Sequence, residues 1–343
     1  MRGKLILACV LLILVAAVGG QAGPASAAGG DIAEANAMAA SVAKVAPAAG
    51  SPRLALALDA GAGALKGRSS NNTTTISIPS NPSGQVTLQS TLSGSTRTLR
   101  VTLPEVFGSK GAVLANDGTV VFAGSSGSTG IAIQAFDQGV RIHVLLRSAL
   151  ANSEYAYPVD LPIGGTIQIL ANGGLLVVAA DNSLIGVFAP PWAKDSDGVS
   201  VPTRYEVRGN RIVQIVEHTY GQFKYPVVAD PYFGLMLIDH ATWVYHSPDG
   251  WTFEVTPTAW ARINAGSLLA GWAGWDELYA RYSCCGLNTN LNGMRDQYIC
   301  HQQIVAVTNP GKATWNIDEW RPDVGYLQTV NSSCNPGGPR WFD

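Results

Sequence analysis

The sequence has little charge: only 13% of its 343 residues are Asp, Glu, Lys or Arg, about half the ~25% of an ordinary soluble domain. No long block of one sign occurs, which excludes a charged disordered tail. No apolar run reaches the ~20 residues that a membrane-spanning helix needs. Cysteines at Cys-x-x-Cys spacing are missing, so two thiolates are not placed for one tetrahedral zinc ion. Missing too from the chain beyond its first segment are a Gly-x-Ser-x-Gly elbow, a His-Glu-x-x-His helix, a Walker loop and a dinucleotide fingerprint behind a strand. No cofactor and no resident metal are therefore expected. Gly (38) and Pro (19) are plentiful beside 47% hydrophobic residues, which describes a turn-rich globular chain.

The first 27 residues form a targeting pattern. Arg2 and Lys4 precede an apolar stretch over 5–18, and Ala25-Ser26-Ala27 supplies a small-x-small cleavage site. A cleaved secretory signal is expected, followed by a mature chain with no membrane span. Its localisation would be extracellular or in the cell envelope. Removal of 1–27 takes Cys9 and leaves Cys284, Cys285, Cys300 and Cys334. An even number in an exported chain reads as two disulfides. A bridge between the adjacent Cys284 and Cys285 is strained, so pairing of each with Cys300 or Cys334 is favoured.

Three zones follow. Residues 28–69 are rich in Ala and poor in large apolar side chains, and are expected to be a linker with at most a weak helix over 31–45. Residues 70–231 carry short runs of Val, Ile, Leu and Thr, among them 73–78, 85–92, 98–103, 131–136, 140–146, 166–170, 175–179 and 211–218. Turn pairs such as Asn172-Gly173 and Gly209-Asn210 separate them, so a mainly β, antiparallel, sandwich-like module is expected. Alternation along 140–146 predicts a polar face bearing Arg141 and His143, with His143 solvated rather than a ligand.

Residues 232–343 hold eight of the nine Trp and every mature cysteine, and are expected to be a small α+β domain. It opens with a hairpin around Ser247-Pro248-Asp249-Gly250 and continues with a helix near 271–281, where Trp272, Trp275, Leu278, Tyr279 and Tyr282 recur at helical spacing. The stretch 294–307 is ambiguous, and 313–317 reads as a strand.

The residues Val201 to Tyr205 and Tyr225-Pro226-Val227-Val228-Ala229-Asp230-Pro231 resemble the end of a β-rich module of secreted actinobacterial proteins. Cys300-His301, the motif Trp315 to Pro322, and Cys334-Asn335-Pro336 resemble the actinobacterial domain-of-unknown-function family 2599 (DUF2599). The two resemblances imply an exported modular protein and bring no established activity.

His301 is the foremost catalytic candidate, with Asp318 or Glu319 to orient its imidazole for general acid–base chemistry. The competing reading, a His bonded to backbone beside a disulfide, is favoured. His240 and His246 lie too far apart on one strand to grip a metal. Asp239, Asp249 and Glu254 raise the thought of paired carboxylates, but Asp249 is accounted for by its turn. Trp243, Trp251, Trp272, Trp275, Trp315 and Trp320 are the pool for a sugar-stacking surface, most of them expected in the core. Basic and acidic residues balance over 28–231 and acidic ones prevail after 232, so nucleic acid is an improbable partner. The sequence thus predicts a secreted binding or structural protein that contacts cell-wall polysaccharide or another envelope component through 232–343. A secreted hydrolase or toxin-like effector active in the same segment is the alternative.

Overall fold

A computed structural model describes residues 25–47, 53–59, 63–70, 73–92, 95–105, 111–123, 127–181 and 183–338. The expected signal segment lies outside them apart from its last residues, which begin the helix Ala25–Val45.

The strands of the central sheet carry apolar side chains on both faces, and both faces are covered. A central ten-stranded antiparallel sheet runs from Thr166–Ile169 through Leu175–Val178, Leu184–Phe188, Tyr232–Gly234, Gly139–Leu146, Thr129–Phe136 and Val120–Ala123 to Val113–Leu114, with Val227–Ala229 also pairing Gly139–Leu146 and Ala193–Lys194 pairing Val227–Ala229. On one face Val120, Phe122, Ile131, Ile133, Val144 and Leu146 pack against Ile76, Ile78, Val86, Leu88 and Leu99. These belong to a five-stranded meander, Ala57–Asp59 to Ser95–Thr102. A three-stranded sheet of Glu154–Pro158, Arg211–Val216 and Thr203–Arg208 adds Tyr155, Tyr157 and Ile212 to the same core. The protein is mainly β and antiparallel, with a small helical region near its C-terminus.

The other face of the central sheet carries two separate coverings. At one end Val121, Ala132, Leu145 and Val228 receive Ala35, Met38, Ala39 and Val42 of the Ala25–Val45 helix. Residues 28–69, expected as a linker, therefore contain a packed helix and the strands Ala57–Asp59 and Ala64–Arg68. Alanine side chains bury little area, but they let the helix lie close against the sheet, so two larger anchors, Met38 and Val42, suffice to fix it.

The same covering corrects the reading of His143, which is buried rather than solvated. Its Nε2 donates to Gln134 Oε1 over 3.2 Å, and burial, with Arg141 and Arg53 nearby, pushes its pKa well below the ordinary value. Arg141 is buried beside it. Its guanidinium lies 3.4 Å from Asp230, donates to the Pro47 carbonyl at 2.7 Å and sits over the Tyr232 ring. Alternation reveals that a strand has two faces; it does not reveal what lies on each.

At the other end of that face, Leu176, Val178, Val187 and Tyr232 share a core with Trp260, Leu278, Tyr298 and Trp315. Trp260 is the pivot. Its indole N–H donates 2.8 Å to the Gln138 carbonyl and its ring centroid lies 4.2 Å from that of Tyr232. Close approach is possible because residue 234 is glycine: a Cβ there would stand 2.6 Å from the Gln138 oxygen and overlap the indole.

Candidate functional site

The C-terminal segment begins with the hairpin Ile238–His246 and Gly250–Pro257, to which Trp315–Asp318 adds a third strand. The helix Leu268–Tyr282 starts at Ser267, whose side chain accepts from the Ala270 N–H. Gly271 and Gly274 face the helix Leu291–Cys300, and a Cβ at Gly274 would meet the Tyr298 ring at 3.0 Å. Helical hydrogen bonding continues past Cys300 through a π-type turn, His301–Val305, to Ala306–Thr308. The stretch 294–307 is thus helical.

Cys300 bonds Cys334, with Cα atoms 5.5 Å apart and both residues buried. This corrects the expected pairing with Cys284 and Cys285. The chain returns through 326–334 directly onto the end of the Leu291–Cys300 helix, whereas Cys284 and Cys285 lie exposed at the preceding corner.

His301 is 2% exposed. Its Nδ1 lies 2.8 Å from the Gln297 carbonyl, and because a carbonyl only accepts, Nδ1 carries the proton. Burial lowers its pKa to about 4, with the Gln297 bond opposing the shift, so the ring is neutral at physiological pH. Asp318 is also buried and its carboxylate is engaged: Oδ2 accepts 2.6 Å from Arg321 Nε and Oδ1 accepts 2.5 Å from Thr252. Glu319 accepts instead from the Thr289 hydroxyl. Gln297 links His301 to Asp318: its carbonyl accepts from His301, and its side-chain amide brackets the Asp318 backbone by accepting from its N–H at 2.8 Å and donating to its carbonyl at 3.0 Å. Arg321 then reaches the carbonyls of Pro336 and Gly338 at 3.1 and 2.6 Å. These side chains clamp the C-terminal return onto the helix that carries the disulfide.

The remaining titratable candidates are separated. His240 Nδ1 lies 2.9 Å from Asp239 and its Nε2 3.2 Å from Thr256, while His246 stands 3.8 Å from Glu254 near the hairpin turn. Among the described residues no three His, Cys, Asp or Glu side chains cluster as a metal site. A cavity of about 600 Å³ opens between the meander and the Leu268–Tyr282 helix, lined by Arg97, Arg100, Asp160, Met236 and Glu277 among others. Glu277, buried, is saturated: it accepts from the Leu237 and Ile238 N–H groups at 2.9 and 3.3 Å and pairs with Arg97 and Arg281 at 3.5 and 3.3 Å. The sequence signal for it was a carboxylate between Trp275 and Leu278 on the buried stripe of an amphipathic helix.

The tryptophans divide. Trp315 and Trp275 are in the core, Trp243 and Trp320 are half-buried, and Trp251 and Trp272 are exposed. Trp272 lies beneath the Arg295 guanidinium on the helix. The hairpin register sets Tyr245 opposite Trp251 and Trp243 opposite Phe253, and the two-residue period puts all four on one face. Phe253 is buried; Trp243 stacks on it at 4.6 Å; Tyr245 and Trp251, 56% and 48% exposed, meet edge to face at 5.2 Å. The Trp243 indole donates 3.1 Å to the Cys285 carbonyl. An aromatic ridge therefore runs from the core out to the hairpin tip. Tyr245 was outside the pool read from sequence: a turn over 247–250 sets His246 across from Trp251, whereas the observed register pairs His246 with Gly250 and so brings Tyr245 opposite Trp251.

A family model described as "Protein of unknown function (DUF2599)" matches residues 238–337, the segment that holds the ridge, the clamp and the disulfide. The chain belongs to the DUF2599 family. It is similar to "Uncharacterized protein Rv0477" of Mycobacterium tuberculosis (strain ATCC 25618 / H37Rv), 34% identical over 103 residues that make 30% of this chain and 68% of that one. The same figures hold for "Uncharacterized protein Mb0487" of Mycobacterium bovis. "Uncharacterized protein ML2452" of Mycobacterium leprae is 23% identical over 109 residues, 31% of this chain and 85% of that one.

Proposed function

We propose that this DUF2599 protein is exported and acts outside the cell or in its envelope as a non-enzymatic binding protein, taking cell-wall polysaccharide on the aromatic ridge of its C-terminal hairpin. The observation that carries the reading is the Tyr245–Trp251 pair: two large rings held apart from the core, on a face whose inner members Trp243 and Phe253 are fixed by stacking. Rings presented in this way offer apolar faces to sugar C–H groups without an ordering cost on binding. Export is supported by Arg2, Lys4, the apolar run and Ala25-Ser26-Ala27. It is compatible with the helix packing through Ala35, Met38, Ala39 and Val42, which lie beyond the expected cleavage site. The hydrolase or toxin reading rested on the modular junction at Tyr225 to Pro231 and on His301 with Asp318 or Glu319; His301 and Asp318 are engaged in the clamp and Glu319 is bonded to Thr289, which lends that reading no support.

The test is retention of the purified mature chain on insoluble cell-wall polysaccharide, with Trp251→Ala and Tyr245→Ala beside wild type. Each ring is expected to contribute about 1 kcal/mol, roughly a fivefold change in affinity, at unchanged stability. Release of soluble sugar, or equal retention of wild type and the double variant, would refute it.

A further inference from the structure

Cys284 and Cys285 occupy a single turn, Ser283–Cys285, between the two long C-terminal helices. Both are exposed, and their Sγ atoms stand 2.7 Å apart, closer than two sulfurs settle without a bond. Among the described residues the other two cysteines, Cys300 and Cys334, are already joined and buried. The corner is pinned on both sides. Leu287 is buried, and its N–H donates 3.2 Å to the Tyr282 carbonyl. Gly286 adopts a φ of 99°, and a Cβ there would press to 3.0 Å of the Trp243 indole nitrogen. The same nitrogen donates to the Cys285 carbonyl.

We propose that Cys284 and Cys285 form a redox-labile disulfide with each other, an adjacent-cysteine ring beside the aromatic ridge. The oxidant is a small-molecule or protein disulfide. One cysteine thiolate attacks it, forming a mixed disulfide and expelling a first thiol. The second cysteine then attacks the sulfur of the first, the S–S bond to the oxidant breaks, and a second thiol leaves. Two electrons and two protons pass to the oxidant, which ends as two thiols, and the chain gains one S–S bond. Exposure admits both the oxidant and a reductant, and the small ring makes the bond easier to reduce than the buried Cys300–Cys334 bridge. Because the Cys285 carbonyl holds the Trp243 indole, the state of the ring reaches the base of the ridge. This last consequence rests on the binding function proposed above; the bond itself does not.

The full mature chain is treated with oxidised glutathione, denatured without reductant, alkylated with N-ethylmaleimide and mapped after trypsin. The peptide between Arg281 and Arg295 is expected to carry no maleimide and to be two hydrogens lighter than the dithiol. Under mild dithiothreitol it is expected to take a maleimide on each cysteine while Cys300 and Cys334 take none. Maleimide on both cysteines of the oxidised sample, a mixed or intermolecular disulfide as the end product, or simultaneous opening of both bridges would overturn the proposal. Polysaccharide retention of the oxidised and reduced chains, and of the Cys284→Ser/Cys285→Ser variant, is measured in parallel. A loss of retention on reduction that the double-serine variant does not show ties the ring to the ridge, and equal retention beside a mapped ring overturns that link. Failure of Trp251→Ala to alter retention in either redox state sinks the polysaccharide reading and leaves the mapped bond standing.

Discussion

Acidification should weaken this fold through His301, and the size of the effect follows from its surroundings. The imidazole is buried, donates to the Gln297 carbonyl and has its pKa lowered from 6.5 to about 4. Below pH 6.5 the unfolded chain takes up a proton that the folded chain refuses until about pH 4. The unfolded state therefore binds more protons across that window, and stability falls as pH falls through it. At ~1.4 kcal/mol for each tenfold difference in proton affinity, the gap amounts to about 3 kcal/mol, present in full above pH 6.5 and gone below pH 4. His143 titrates in the same direction. Asp230 opposes both: burial raises its pKa to about 7 despite Arg141, so between its ordinary value and pH 7 the folded state holds the extra proton and gains stability toward acid. The wild-type curve combines these groups, which is why the informative comparison is with His301→Asn, whose amide nitrogen stands at the position of Nδ1 and does not titrate. Urea unfolding followed by tryptophan fluorescence at intervals from pH 7 to 4 should show the wild type losing about 3 kcal/mol more than the variant. Parallel stability curves for the two proteins would refute the burial argument.

Three further substitutions probe how the C-terminal segment is held. Cys300→Ser opens a disulfide spanning 34 residues and is expected to cost about 4 kcal/mol by loop entropy, read as a lower urea midpoint and lost if wild type is compared fully reduced. Gly234→Ala drives a methyl group into the Trp260 indole and the Gln138 carbonyl and should destabilise by about 3 kcal/mol. Gly234→Ala combined with Trp260→Ala should then cost clearly less than the two single changes added. Arg321→Lys keeps the charge beside Asp318 but not the fork that also reaches Pro336 and Gly338. A loss of about 2 kcal/mol, with faster proteolysis of the chain after 322, is expected; an unchanged cleavage pattern would count against the clamp.

The sequence disclosed elements whose cause is local. Ser247-Pro248-Asp249-Gly250 announced the hairpin, and the three- and four-residue spacing of Trp272, Trp275, Leu278, Tyr279 and Tyr282 announced the helix, which the structure extends to Leu268–Tyr282. Three features depended on what comes to lie against a segment, and these were not legible. Arg141 and His143 alternate with Ile142 and Val144 as on a solvated strand, yet the Ala25–Val45 helix and the Pro47 carbonyl close over them. The Ala-rich segment has too little apolar area to predict order by composition, yet it fits flush on a sheet that needs covering. The disulfide depends on where the chain returns after 326, and Arg321 holds that return through the carbonyls of Pro336 and Gly338, contacts between residues far from Cys284 and Cys285 in sequence.

Six of the residues in the motifs by which the family is recognised have a common physical character. Cys300, His301, Trp315, Asp318, Arg321 and Cys334 are all buried and all engaged, in a disulfide, a core or a hydrogen bond. The Asp318 carboxylate is buried and bonded to Arg321 and Thr252, and the His301 imidazole is held neutral in the interior. Their chemistry is that of a clamp: it fixes the third strand, the helix and the chain terminus to one another. A clamp gives rigidity to what it carries, and the outward element it carries is the hairpin, whose strand Gly250–Pro257 pairs directly with Trp315–Asp318. The signature and the ridge thus stand in the relation of support to surface. Substitutions in the former should lower stability and binding together, whereas those at Tyr245 and Trp251 should separate them.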